Sequence, residues 1–112
     1  MRIFFIHWNE DELKEKLTPL KKAGYKIEYH FAAGVAAKIT TESLGALIIC
    51  LDRLPSHGTA YAEWMWSTKK RQQIPIVFCG GVPEKIKAVQ LKFPDAIYCS
   101  NEALLSVLNT LT

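Results

Sequence analysis

Apolar positions along the chain gather into five short runs, from Arg2 to Trp8, Tyr25 to Phe31, Ala46 to Leu51, Ile74 to Cys79 and Ala96 to Cys99. Each is separated from the next by a stretch long enough for a helix. ALIICL and IPIVFC are apolar at nearly every position, the pattern of strands covered on both faces. The intervening stretches carry helical spacing instead. Leu13, Leu17 and Leu20 stand at i, i+4 and i+7, Asn9-Glu10-Asp11-Glu12 has the form of a capping box, and Gly24 marks the stop. Pro19 lacks the N–H that a mid-helix residue donates, so a kinked helix, or one in two parts, is predicted there.

The second connection, Ala32 to Gly45, shows only weak helical spacing at Val35, Ala36, Ala37 and Ile39. The third is predicted helical from about Gly58 to Gln72, with Tyr61, Trp64, Met65 and Thr68 near one face and Trp66 turned partly outward. Lys69, Lys70 and Arg71 fall in its last turn, where cations favour the helix dipole. The fourth helix begins at Pro83 and turns Ile86, Val89 and Phe93 inward, and Pro94-Asp95 makes the turn into the last strand. The fifth starts from a Ser100 or Asn101 cap and buries Leu104, Leu105, Leu108 and Leu111. Strict β/α alternation with short connections demands right-handed parallel crossovers. The predicted fold is therefore α/β: a three-layer doubly wound sandwich, one domain over 1–112, with a five-stranded parallel sheet in the order 2-1-3-4-5.

Composition narrows the function more than the fold. With 112 residues, 49% hydrophobic and 22% charged, the chain has an ordinary core for one domain. A net charge of +3 is too mild to imply a nucleic-acid partner. The apolar runs are too short to span a bilayer, and IFFI leads into HWNEDE rather than a small-residue cleavage site, so no membrane partner and a cytoplasmic location are expected. Cys50, Cys79 and Cys99 each fall at or near the end of an apolar run without C-x-x-C spacing, which fits buried reduced thiols.

In such a sheet, ligands bind beyond the carboxyl ends of the strands, where the strand order reverses. That rule collects His7, Trp8, Asn9 and the acids Glu10, Asp11 and Glu12 after strand 1. It adds DRLPSHG (52–58) after strand 3, Gly80-Gly81 after strand 4, and Ser100 and Asn101 after strand 5. Ser56 is a candidate N-cap for the third helix, Pro55 stiffens its approach and Gly58 allows close backbone approach or a positive φ. Arg53 and His57 are left over. Beside a helix N-terminus and the Gly80-Gly81 amides they suit a phosphate or carboxylate. The candidate ligand or anion site is thus His7, Asn9, Asp52, Arg53, Ser56, His57, Gly80, Gly81 and Ser100, with no catalytic or metal residue assigned.

A triad of Ser56, His57 and Asp52 has the right residue types, but adjacent residues do not face one another and the G-x-S-x-G elbow is missing. Neither G-x-x-x-x-G-K nor G-x-G-x-x-G occurs, so Gly80-Gly81 reads as a tight turn. His7 alternates with Ile6 and Trp8 near the end of a central strand and reads as a hydrogen-bonded structural histidine. It becomes a metal ligand only if His57 turns into the same crevice. Trp66 and the run Lys69-Lys70-Arg71 mark either an interface or a solvated helix end.

Five βα units with an acid after strand 3 resemble the receiver domain of bacterial response regulators over the whole chain. The resemblance implies an acidic pair at the end of strand 1 holding Mg²⁺, a phosphoacceptor Asp at the end of strand 3, a Ser or Thr after strand 4 and a Lys after strand 5. Only Asp52 has a counterpart. Strand 1 ends in His7-Trp8, strand 4 in Cys-Gly-Gly, and strand 5 in Cys99-Ser100 without a lysine. Receivers also place a proline four residues after the acceptor, which points back from Pro55 to Leu51. The stretches RLPSHG, IPIVFCGG and PDAIY are also similar to a group of small bacterial proteins with no assigned activity. The resemblance therefore implies a pseudo-receiver: a non-phosphorylated regulatory or protein-interaction module, without a cofactor, with a protein partner or a second copy as its expected company. The alternative is a small anion- or nucleotide-binding protein or enzyme using the crevice beyond strands 1 and 3.

Overall fold

The computed structural model describes residues 1–7, 9–31, 38–52 and 55–111, the side chains of 55–58 excepted. Its elements are β1 (Arg2–Ile6), α1 (Glu10–Lys22), β2 (Lys26–His30), β3 (Leu44–Cys50), α2 (Pro55–Trp66), α3 (Lys69–Gln72), β4 (Ile76–Cys79), α4 (Pro83–Lys92), β5 (Ile97–Cys99) and α5 (Leu104–Thr110). The five strands are all parallel and lie in the order β2-β1-β3-β4-β5. This is the predicted doubly wound sheet, and its cause is visible in the alternation of side chains. Ile3, Phe5, Ala46, Ile48, Cys50, Val77 and Cys79 turn to one face, where Leu13, Leu17 and Leu20 of α1 and Leu104 and Leu108 of α5 cover them. Phe4, Ile6, Leu47, Ile49, Ile76 and Phe78 turn to the other, beneath Ala62 and Met65 of α2 and Val89 of α4. A strand with two buried faces has no room for polar residues, which is why β3 and β4 read as unbroken apolar runs.

Several local expectations are corrected. α1 continues through Pro19 as one helix, because Leu13 and Leu17 before the proline and Leu20 after it are anchored in the same core. Pro19 itself faces solvent, and its carbonyl accepts from Ala23 N–H at 3.1 Å. The third helical stretch is two helices, since Thr68 breaks it by adopting an extended conformation and capping Arg71 N–H through Oγ1 at 3.3 Å. α2 begins at Pro55, a favourable first-turn residue, so Ser56 stands inside the first turn rather than at the N-cap and Gly58 inside the helix. Of the two tryptophans, Trp64 is the exposed one, with the Arg71 guanidinium 4.2 Å above its ring. Trp66 instead packs edge-on to Phe93 at 5.1 Å. α5 begins at Leu104, and Ser100 closes the turn before it by accepting from Ala103 N–H at 3.2 Å. In the second connection, 38–43 is not helical and 32–37 lie outside the described residues.

Candidate functional site

At the carboxyl edge of the sheet the structure is built around Asp52, two residues past the end of β3. Its Oδ1 accepts from the Gly81 N–H at 2.7 Å, and its Oδ2 accepts from Asn101 Nδ2 at 2.9 Å and from Lys16 Nζ at 3.2 Å. The two glycines are required by this docking. Gly80 and Gly81 have φ of +71° and +88°, a region that side chains disfavour, and a Cβ on Gly80 would stand 2.6 Å from Asp52 Oδ1. The backbone amide that sequence reasoning offered to an external anion is thus taken by the protein's own carboxylate. Burial alone would raise the Asp52 pKa, but the Gly81 N–H, Asn101 and Lys16 outweigh it and hold the carboxyl well below the ordinary range.

Lys16 is the residue the sequence did not reveal. It lies at i+3 from Leu13 and i−4 from Leu20, on the inward stripe of α1, so docking those leucines carries its side chain over the strand ends. Besides Asp52, its ammonium stands 3.4 Å from Cys50 Sγ and 2.9 Å from His7 Nε2. Burial would lower its pKa, yet the anionic partners Cys50 and Asp52 more than offset this and the net shift is upward.

His7 is fully buried, stacked on Phe5, and its Nδ1 accepts from the Asn9 N–H at 3.1 Å. That bond leaves the proton of a neutral ring on Nε2, which stands 2.9 Å from Lys16 Nζ. Asn9 is the N-cap of α1, its Oδ1 accepting from Glu12 N–H at 3.0 Å. The predicted capping box is therefore half realised: the Asn9 N–H goes to His7, and the Glu12 carboxylate stands 3.6 Å from His7 Nε2.

Of the predicted site residues, His7, Asp52, Gly80 and Gly81 belong to this assembly, Asn9 supports it as a cap, and Ser100 lines the adjoining cleft. Arg53 lies outside the described residues, as do the side chains of Ser56 and His57. The cleft is open, about 440 Å³, and bordered by Asp52, Gly80, Gly81, Tyr98, Ser100 and Asn101. Lys16, Cys50, Cys79 and Asn101 are the members missing from the sequence-derived set. Asn101 was legible only as a residue after strand 5, and the cysteines only as ends of apolar runs.

The Mg²⁺ implied by a receiver fold does not suit this donor set. A hard cation of that kind needs several oxygen ligands. Here the β1 end supplies a buried imidazole, and the ammonium of Lys16 already occupies the side of Asp52 that faces β1. No cluster of three or more metal-binding side chains occurs among the described residues.

No family model and no curated protein matches the chain. Among solved structures, the chain is similar to the chemotaxis response regulator CheY4 of Vibrio cholerae, with a TM-score of 0.74 and 15% identity over 99% of this chain and 98% of that one. At that identity the likeness speaks for architecture alone: from end to end, the chain has the fold of a response-regulator receiver.

Proposed function

We propose that the chain is a receiver-like regulatory or protein-interaction module that operates without phosphorylation of Asp52. The observation that carries this reading is that both oxygens of the Asp52 carboxylate are engaged, Oδ1 by Gly81 and Oδ2 by Asn101 and Lys16. A phosphoacceptor needs a free oxygen to attack phosphorus and a cation that can also hold the phosphoryl oxygens. In this site the nearby cation is a tethered ammonium, and the residue at the β1 end is histidine rather than a carboxylate pair. The regulatory part of the reading rests on likeness of fold to a chemotaxis response regulator.

The alternative, a site for a small external anion, has less behind it. The Gly81 amide is spoken for, and the adjoining cleft has Asp52 and Glu102 on its border, whose charge repels anions. Incubation with acetyl phosphate and Mg²⁺ followed by intact mass measurement tests the proposal. We expect an unchanged mass; stoichiometric acid-stable or acid-labile phosphate mapping to Asp52 would overturn it.

A further inference from the structure

The carboxyl edge also assembles a row of sulfur that the Asp52 network does not explain. Cys50 of β3 is the register partner of Cys79 of β4, which is the partner of Cys99 of β5. All three face the α1/α5 layer, and all three are free thiols. Extending the β1/β3 register by one residue beyond Ile6↔Ile49 brings His7 alongside Cys50. Neighbouring parallel strands are about 4.8 Å apart, inside the roughly 4.4–6.8 Å between α-carbons that a disulfide tolerates.

Cys50 differs from the other two in what surrounds its sulfur. Lys16 Nζ and the Asp52 N–H each approach Sγ at 3.4 Å. With Nδ1 of His7 accepting from Asn9, the 2.9 Å approach of Nε2–H to the Lys16 ammonium sets two donors against each other. Anions stand beside both, the Glu12 carboxylate 3.6 Å from Nε2 and the Asp52 carboxylate 3.2 Å from the ammonium, and Cys50 Sγ lies 3.4 Å from that same ammonium. The protonated Cys50 thiol donates to Asp52 Oδ2 at 3.5 Å, a hydrogen bond lost when it ionises, and the Lys16 ammonium stands within 3.4 Å of both atoms. Consistent with this, the Cys50 pKa falls well below the ordinary thiol range, with the Cys79 hydrogen bond as the largest cause, while that of Cys79 rises.

From this geometry we propose that Cys50 and Cys79 form an oxidisable dithiol whose oxidant is a hydroperoxide, with Cys50 the attacking sulfur and Cys79 the resolving one. Cys50 is buried, and the half-buried Lys16 ammonium stands 3.4 Å from its sulfur. In the first step the Cys50 thiolate attacks a peroxide oxygen; the S–O bond forms, the O–O bond breaks, and with hydrogen peroxide the departing hydroxide takes a proton from Lys16 to become water, after which Lys16 regains a proton from solvent. In the second, the Cys79 sulfur attacks Cys50 Sγ; the S–S bond forms, the S–O bond breaks, and hydroxide leaves with the Cys79 proton as a second water. The two sulfurs together give up two electrons, and the peroxide accepts them. An external dithiol reverses the change by exchange. Loss of the thiolate removes one of the anions that hold Lys16, so oxidation loosens the clamp on Asp52.

The test compares reactivity with exposure, because Cys99 is the more exposed thiol. The reduced full chain is treated with hydrogen peroxide under native conditions, blocked with N-ethylmaleimide in denaturant, and read by intact mass and peptide mapping. We expect Cys50 and Cys79 joined, with Cys99 alone carrying maleimide. In the Cys79→Ser variant, dimedone is expected to trap Cys50 sulfenic acid about ten-fold or more faster than it modifies Cys99. The Lys16→Met variant, its fold checked by circular dichroism, is expected to slow Cys50 oxidation by about ten-fold. Full maleimide labelling of all three thiols after peroxide, or oxidation of the wild-type chain that begins at Cys99, would overturn the proposal, and neither result depends on a variant folding.

Discussion

Asp52 is held as a structural anion by three donors from three different strand ends or helices, and single residues carry that claim. Adding a methyl at Gly80 would collide with the carboxylate and force a side chain into a positive φ. Gly80→Ala is therefore expected to cost roughly 1–3 kcal/mol in urea denaturation, the range of one strained backbone position. The Asp52 pKa is depressed in the folded chain, so between the folded and unfolded values the unfolded chain binds more protons. Its stabilising contribution is complete above the unfolded value of about 3.9 and is lost as pH falls from there toward the folded pKa. Asp52→Asn should accordingly flatten the acid limb of a stability-against-pH profile; an unaltered limb would show that other carboxyls set it. At this scale the sequence was half legible. Asp52 and Gly80-Gly81 stand out by position, but the sequence suggests an external anion for the glycine turn, because nothing in DRLPSHG says which way an aspartate folds.

Among the elements, α1 matters most for the site. Three leucines anchor it and one lysine within the same stripe reaches past them to Asp52, thirty-six positions away in sequence. A charged residue beside an apolar stripe is usually a snorkelling side chain, so Lys16 gave no signal until the helix was docked. Pro19 offers a test of how firmly that docking overrides local propensity. It sits exposed in the helix and donates no N–H, so Pro19→Ala should raise stability by roughly 1–3 kcal/mol, an increase that thermal or urea unfolding would register. The misreading of the third helix has a similar origin. Periodicity alone carried it past Thr68, whereas the hydroxyl cap on Arg71 restarts the helix there.

Over the whole molecule, topology does what no local pattern announces. The order β2-β1-β3-β4-β5 follows from β/α alternation and crossover handedness, and so was legible from apolar runs alone. What it implies for chemistry is subtler: it places the ends of β1, β3, β4 and β5 together, aligning His7, Cys50, Cys79 and Cys99 across the sheet and gathering Lys16, Gly81 and Asn101 around Asp52. Because Lys16 ties the α1 layer to the central strand, Lys16→Met should lower stability near neutral pH by roughly 1–3 kcal/mol, the worth of hydrogen bonds to charged partners. The same variant should regain part of that loss in acid, where Asp52 becomes neutral.

The ionisation of Asp52 is the property on which the whole reading turns, and its side-chain carboxyl carbon reports it directly by NMR. Across a pH titration of the folded protein, the Asp52 resonance should hold its ionised shift through the range in which exposed aspartates titrate, and move only at more acidic pH. A midpoint at the ordinary aspartate value, about 3.9, would mean that Gly81, Asn101 and Lys16 do not hold the carboxylate in solution.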